Sequence, residues 1–274
     1  MSFSAIDYKV QDGIGILTLN RPEQLNALDI PMRTELGEIV PEIARDESVK
    51  VLIFTGAGRA FSAGGDLKAL SEGKRPMVAG RERIRKLHMW FPQFVNLEKP
   101  VIAAVNGPAF GAGFNMALAC DFILASSKAR FSQVFERNGL VPDLGGYFLL
   151  PRIVGLQKAK NLALSARIIS ADEAMELGIL YAIHEPDTLM DAAFALARRL
   201  VKAPTAAIGL TKTIMNQAFH LDQRAMVDLE VLAQTMMKNT DYHREAVARF
   251  LRKEGHLYDW NKMDEEEAEA AAAE

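Results

Sequence analysis

Two loops built from small residues carry the clearest chemical signal in this sequence. Residues 61–66 read FSAGGD and residues 107–115 read GPAFGAGFN, and each lies between a strand-like apolar run and a helix-like run. Backbone N–H groups at a helix start have no intrahelical acceptor and lie at the positive end of the helix dipole. If the loops converge, they direct two N–H groups at one oxygen, an arrangement that stabilises a carbonyl as it gains negative charge. Glycines that serve only tight turns and close packing are the alternative for either loop alone.

Composition limits the other kinds of chemistry. The single cysteine, Cys120, excludes an intramolecular disulfide and a cysteine-rich metal site, and its apolar neighbours indicate a buried thiol. We find no metal motif and no dinucleotide fingerprint, since GAGRAF has the wrong glycine spacing. We therefore expect no metal and no cofactor beyond what a substrate brings.

The charge is unevenly distributed along the chain. The net charge is −3, but the last eleven residues, DEEEAEAAAAE, hold six acids, and without them 32 basic residues face 29 acidic ones. This mildly basic body suits a small phosphate-bearing molecule but falls far short of a nucleic-acid binder. The N-terminal residues show no signal-peptide pattern and no apolar run is long enough to span a membrane. We expect a soluble, cytoplasmic protein with no membrane or nucleic-acid partner.

Alternating strands and helices must position the two loops. Residues 5–19 predict two strands around DGIG, and VKVLIFTG, KPVIAAVNG and DFILAS predict buried strands. Helical patterns cover residues 31–45, about 80–97 and 112–119. This alternation predicts an α/β architecture with short parallel strands.

The second half of the sequence is mainly helical. Ser170 and Glu173 form a capping box, and three amphipathic helices follow between residues 203 and 253. We divide the chain into a core at 1–200, a C-terminal helical region at 201–260 and an acidic, disordered tail at 261–274. The methionine-rich helices indicate packing against the core or another subunit, so we expect a homotrimer or homohexamer.

Four stretches in this order resemble the crotonase family, the enoyl-CoA hydratases and isomerases. They are LTLNRPEQLNALD, LIFTGAGRAFSAGGDL, KPVIAAVNGPAFGAGFNMALACDFILAS and NGLVPDLGG, and the resemblance runs from about residue 5 to 255. It implies a spiral of ββα units, a C-terminal helical region that builds trimers, and acyl-CoA substrates. It also implies that the oxyanion donors are the N–H groups of Gly65 and Ala112. The residues matching family contacts to coenzyme A are Ala27, Ala63, Gly65, Asp66, Leu67, Lys68 and Ala112.

The resemblance also shows two departures from the hydratases, which use two glutamates. The matching positions hold Asn115 and Phe135, and neither side chain exchanges protons. Glu136 is adjacent to the second position, but shifting the match by one residue would break it through NGLVPD, so we expect Glu136 on the surface. Hydration needs one group to deprotonate water and one to protonate carbon. The ordinary hydratase mechanism is therefore not expected.

Asp143 matches the catalytic aspartate of several isomerases and of the family's 4-chlorobenzoyl-CoA dehalogenase. A turn or cap role before GGYFLLP is its alternative. Phe135 would line the substrate pocket and keep it dry, which raises a carboxyl pKa. His88 stands where the dehalogenase has its histidine base, although a lone histidine in a helix is more often structural.

We therefore expect an isomerase that moves a double bond in an enoyl-CoA, with Asp143 as proton shuttle and Asn115 orienting the acyl group or a water. Three alternatives remain open at this point. They are a hydratase using water held by Asn115 and Asp143, a thioester hydrolase or dehalogenase with Asp143 as nucleophile and His88 as base, and a non-catalytic relative that binds acyl-CoA or RNA. The aromatic residues Trp90, Phe91, Phe114, Tyr147 and Phe148 suggest either a pocket for a cyclic acyl group or ordinary core packing.

Overall fold

The computed structural model describes residues 3–66 and 77–273. In that part of the chain, six strands form a mixed sheet in the order β1-β2-β3-β4-β6-β9 and three short strands form a second sheet in the order β5-β7-β8. Their bounds are β1 Ile6–Gln11, β2 Ile14–Leu19, β3 Val51–Gly56, β4 Val101–Val105, β5 Ala109–Phe110, β6 Phe122–Ser126, β7 Arg130–Ser132, β8 Ile169–Ser170 and β9 Ala182–His184.

Helices connect these strands and dominate the C-terminal third. Their bounds are α1 Ile30–Arg45, α2 Met77–Leu87, α3 Phe91–Val95, α4 Ala112–Leu118, α5 Gly146–Val154, α6 Leu156–Ser165, α7 Ala171–Glu176, α8 Leu189–Val201, α9 Thr205–Met215, α10 Gln223–Met237, α11 Asp241–Leu251 and α12 Trp260–Ala273. Short 3-10 helices span Pro22–Gln24 and Val134–Asn138.

The central strands β3 and β4 of the larger sheet are buried on both faces, which explains their continuous apolar sequences. β1 and β2 form an antiparallel hairpin, and β2, β3, β4, β6 and β9 then pair in parallel. Leu52 and Phe54 of β3 join the main core, whereas Val51 and Ile53 of the same strand face the cluster beneath α8. Because alternate residues point to opposite faces, a strand covered on both sides needs apolar residues at every position.

The helix expected over about residues 80–97 is interrupted. α2 ends at Leu87, residues 88–90 form a turn, and α3 begins at Phe91 with Pro92 in its first turn. Proline lacks the N–H that would continue the earlier helix, and its ring clashes with the carbonyl four residues back. His88 therefore lies in this turn, although we expected it to lie within a helix.

The two helices that follow α9, α10 and α11, lie on the surface of the single chain. None of the residues of α10 or α11 is buried, and Val231, Leu232, Phe250 and Leu251 are exposed. This agrees with the amphipathic pattern read from the sequence. The trimer or hexamer stays a prediction.

The acidic end of the chain differs from the disordered tail expected for residues 261–274. It forms α12, whose first turns are fixed by contacts that composition does not reveal. Met263 is buried, and Arg199 of α8 lies over the Trp260 ring and pairs with Asp264. Among the helices of residues 3–66 and 77–273, none combines the length and apolar character needed to cross a bilayer.

Candidate active site

The first small-residue loop follows β3 and is held by a buried asparagine. Asn26 has no exposed surface, and its Nδ2 donates to the carbonyls of Ala57 at 3.0 Å and Ala60 at 2.8 Å. The Ser62 hydroxyl donates in turn to the Asn26 carbonyl at 2.8 Å. These bonds tie both ends of the loop to the segment before α1, and the bridge between Leu28 and Gly65 fixes the loop's far end.

The two loops interlock through main-chain contacts. Phe110 N donates to Ser62 O at 2.9 Å, and Ser62 forms a parallel bridge with Ala109. Gly64 has a φ of +85°, and a Cβ on it would lie 2.4 Å from Phe110 O and 3.2 Å from Ala112 N. A Cβ on Gly113 would lie 2.4 Å from Ser62 O. Any larger residue at either glycine would separate the loops, which is the physical reason for their composition.

The interlock places Gly64, the residue before Gly65, close to Ala112 N, and the role of the Gly65 and Ala112 N–H groups as oxyanion donors stays a prediction. Ala112 is the first residue of α4, so its N–H has no acceptor within the helix. Neither this N–H nor that of Gly65 donates to any acceptor in the described part of the chain. Gly65 is exposed, whereas Ala112 is 2% exposed.

Asp143 lies on a tight turn that leads into α5. Leu144 and Gly145 both have left-handed backbones, with φ of 40° and 74°, and Gly146 N donates to Asp143 O at 2.9 Å. The Oδ1 atom of Asp143 is buried and meets no hydrogen-bond donor in residues 3–66 and 77–273. Burial raises the pKa of this carboxyl above its ordinary value, and the positive charges of His88 and Arg33 oppose that shift. A raised pKa makes the ionised carboxyl a stronger base than an ordinary aspartate.

His88 lies within electrostatic reach of Asp143 but is not bonded to it. The charge of His88 acts on the Asp143 pKa, yet no hydrogen bond or ion pair joins the two side chains. The described residues also contain no cluster of three histidine, cysteine or acidic side chains able to hold a metal.

A model of the enoyl-CoA hydratase/isomerase family matches residues 9–261 of this sequence. The chain belongs to this family, the crotonases. The chain is therefore an enzyme of acyl-CoA metabolism, and its α/β fold with C-terminal helices is confirmed as the crotonase fold.

Relatives named as isomerases and as hydratases have comparable sequence identities to this chain. Escherichia coli 1,2-epoxyphenylacetyl-CoA isomerase is 39% identical over 247 residues, covering 89% of this chain and 94% of the relative. The short-chain-enoyl-CoA hydratase of Clostridium acetobutylicum is 34% identical over 259 residues, covering 92% of this chain and 97% of the relative. A crystal structure of an enoyl-CoA hydratase/isomerase from Cupriavidus metallidurans superposes with a TM-score of 0.87 at 36% identity, covering 94% of this chain and 97% of that one.

The two positions where crotonase hydratases carry glutamates are occupied differently here. Asn115 is fully buried, its Nδ2 donates to Asp143 O at 2.7 Å, and its Oδ1 accepts from Gln133 Nε2 at 2.7 Å. Phe135 packs beside the second loop, since a Cβ on Gly111 would lie 3.4 Å from its ring. Each end of the Asn115 amide thus has one protein partner, and the expectation that it orients a water or the acyl group stays a prediction.

The coenzyme A contacts implied by the crotonase motif fall partly within the described chain. Ala63 N donates to Leu25 O at 2.8 Å, which brings Ala63 beside the segment holding Ala27, and both are partly exposed. Asp66 follows the Gly65 bridge and is also partly exposed. The implied contacts Leu67 and Lys68 lie outside the described residues.

A cavity of about 680 Å³ lies between α1 and the α2–α3 segment, and the charge of Arg33 in its wall acts on Asp143. Its walls include Ile30, Arg33, Leu87, Trp90 and Gln93. Of the aromatic residues considered from the sequence, Trp90 lines this cavity, Phe91 packs near Gly145, Phe114 is buried in the core, and Tyr147 and Phe148 are exposed.

Some residues near the site were not predicted from the sequence. Gln133 matches no motif used above, and Asn26 lies within LTLNRPEQLNALD without an assigned role; hydrogen bonds to residues 18 and 31 positions away reveal what they do. Glu136, which we expected on the surface, is partly buried with an Oε2 atom that meets no donor in the described chain. Its 3-10 helix turns this side chain back towards the protein.

Proposed function

We propose that this crotonase is a CoA-thioester isomerase that moves a double bond by means of a single carboxyl group, Asp143. The observation that carries the proposal is the contrast between the three candidate positions. Asp143 has a buried, unbonded carboxyl oxygen and a raised pKa, whereas position 115 holds an amide bonded at both ends and position 135 holds a phenyl ring.

The reaction needs one group that acts first as base and then as acid. Ionised Asp143 takes a proton from the carbon next to the thioester, and the electrons move onto the thioester oxygen. The N–H groups of Gly65 and Ala112 stabilise this enolate. Asp143 then returns the proton to the γ-carbon, so that the double bond changes place and the net composition is unchanged. A raised pKa favours both steps because it makes the carboxylate a stronger base without removing its acidity.

The acyl group extends from Asp143 towards the cavity between α1 and α2–α3. This direction is supported by Arg33, which lines the cavity and whose charge acts on Asp143. The similarity to an isomerase of a phenylacetyl thioester supports a ring-bearing acyl group, for which Trp90 supplies an apolar wall. A ring-bearing 3-enoyl-CoA and a straight-chain 3-enoyl-CoA are therefore the substrates to compare.

The proposal is tested with Asp143→Asn, which keeps the size and turn preference of the side chain. We expect loss of isomerisation and loss of α-proton exchange with deuterated water, while CoA-thioester binding is retained. An Asp143→Asn protein with nearly full activity would show that Asp143 serves only the turn, and this result would refute the mechanism.

A second candidate function rests on the electrostatic contact between His88 and Asp143. In a hydrolase, ionised Asp143 would attack the thioester carbonyl and expel CoA thiolate, and water deprotonated by His88 would hydrolyse the resulting anhydride. His88→Ala would then accumulate an acyl adduct on the protein, detectable by intact mass. Under the isomerase proposal no adduct forms and His88→Ala retains most of the activity.

A further inference from the structure

Two hydrogen bonds in series connect two buried side-chain amides to the main-chain carbonyl of Asp143. Gln133 is 1% exposed and Asn115 is 0% exposed. Gln133 Nε2 donates to Asn115 Oδ1 at 2.7 Å, and Asn115 Nδ2 donates to Asp143 O at 2.7 Å. No motif and no role in the chemistry above accounts for Gln133.

The backbone carbonyl of Asp143 fixes the donor-to-acceptor direction of these two hydrogen bonds. A backbone carbonyl can only accept a hydrogen bond, so Asn115 must present its NH2 group to Asp143. Its oxygen then faces position 133, where only a donor can satisfy it. Gln133 supplies that donor, and its own Oε1 is left buried without a donor in the described chain. A leucine or glutamate at position 133 could not fix the Asn115 amide in this orientation.

The turn that carries Asp143 needs such support. Leu144 has a φ of 40°, a conformation that side-chain-bearing residues rarely adopt. A Cβ on Gly146 would lie 2.6 Å from Asn115 Nδ2, and a Cβ on Gly145 would lie 2.8 Å from the Phe91 ring. The turn is therefore held between the Asn115 amide on one side and an aromatic ring on the other.

We propose that Gln133 and Asn115 are positioning residues that hold the Asp143 turn so that its carboxyl group stays buried against the reacting carbons. The amide at position 115, where related hydratases have a carboxylate, serves the remaining carboxyl group and not the substrate. This inference rests on the proposed function, because it assigns the two amides to the proton-transfer group named there.

The first test uses Gln133→Met, which keeps the length of the side chain and removes its donor. We expect kcat to fall by about 10- to 10²-fold, with KM for the thioester little changed, because small displacements of a catalytic group have effects of this size. We also expect the acidic limb of the kcat/KM profile to move to lower pH, since a loosened Asp143 carboxyl gains water and its pKa falls.

Ser132→Ala is the matched control from the neighbouring position. Ser132 is 2% exposed and its hydroxyl donates to Ala166 O at 3.0 Å, so this variant also removes a buried bond to a backbone carbonyl. Its hydroxyl makes no hydrogen bond to Asn115 or Asp143. We expect a loss of stability with unchanged kcat and an unchanged pH profile.

Gln133→Glu provides a second variant if the methionine protein does not fold. A carboxylate cannot donate to Asn115 Oδ1, whereas the protonated acid can. The ratio of variant to wild-type kcat should therefore rise as pH falls.

Folded Gln133 variants that behave like Ser132→Ala, with wild-type kcat and pH profile, would overturn the positioning role. This failure is distinct from that of the proposed function, which would be shown by an active Asp143→Asn enzyme.

Discussion

Gly64→Ala is the sharpest perturbation of the interlocked loops. Gly64 contributes no chemical group, so its substitution tests only the geometry that brings Gly65 and Ala112 together. The new Cβ would lie 2.4 Å from Phe110 O, and Cβ contacts shorter than 3.0 Å are essentially never found in proteins. Phe110 O belongs to the backbone of the second loop, so relief requires movement of the loop itself.

The displacement of the loops sets the expected fall in kcat, and the backbone strain at position 64 sets the expected loss of stability. Relieving the overlap from 2.4 to 3.0 Å requires a displacement of about 0.6 Å between the loops, and a 1 Å misplacement near the chemistry lowers rates by about 10²-fold. We therefore expect kcat to fall by about 10- to 10²-fold, or about 1.4 to 2.7 kcal/mol in the activation barrier. The φ of +85° adds about 1–2 kcal/mol of backbone strain to the folded state.

The assay combines steady-state isomerisation with α-proton exchange in deuterated water, and unfolding is followed separately. Gly178→Ala is the matched control because Gly178 has a φ of +75° and nothing lies within 4 Å of a Cβ there. We expect this control to lose stability through strain while keeping its rate. A folded Gly64→Ala enzyme with the wild-type rate would show that the spacing of the two loops does not matter for catalysis.

Three further outcomes are expected. Ala112→Pro removes one backbone donor at the first position of α4, where proline is well tolerated. We expect the steady-state rate to fall by about 10²-fold or more while thioester binding persists. A folded variant with full activity would contradict the oxyanion role. Burial raises the pKa of Asp143, so the folded state binds this proton more tightly than the unfolded chain does. Proton binding therefore stabilises the folded state at low pH, and this stabilisation is lost as pH rises from about 4 through the raised pKa. Asp143→Asn should accordingly be more thermostable than the wild type by a margin that grows with pH over this window, and equal melting temperatures at all pH values would argue against the burial effect. The exposed apolar residues of α10 and α11 should be covered in a trimer or dimer of trimers, and a monomer by light scattering at micromolar concentration would refute this assembly.

Local sequence chemistry predicted much of the core and both loops. The apolar strands at Val51–Gly56 and Val101–Val105 were readable because burial on both faces demands apolar residues throughout. The glycines at 64 and 113 were readable as requirements for bare backbone, although only the structure shows which carbonyls they approach. The break at residues 88–90 was missed because a helical pattern on both sides concealed the effect of Pro92.

The sequence by itself determined which groups are available: carboxyls at positions 136 and 143, an amide at 115, a phenyl ring at 135 and two loops without side-chain bulk. Tertiary structure decided how those groups are used. Hydrogen bonds from Gln133 to Asn115 and from Asn115 to Asp143 join residues 18 and 28 positions apart, and no local pattern encodes such pairings. The burial that raises the Asp143 pKa, the docking of α12 through Arg199 and Met263, and the meeting of the two loops likewise depend on distant segments packing together. Residue types therefore set the possible chemistry, and long-range packing set the orientation, solvation and partners on which that chemistry depends.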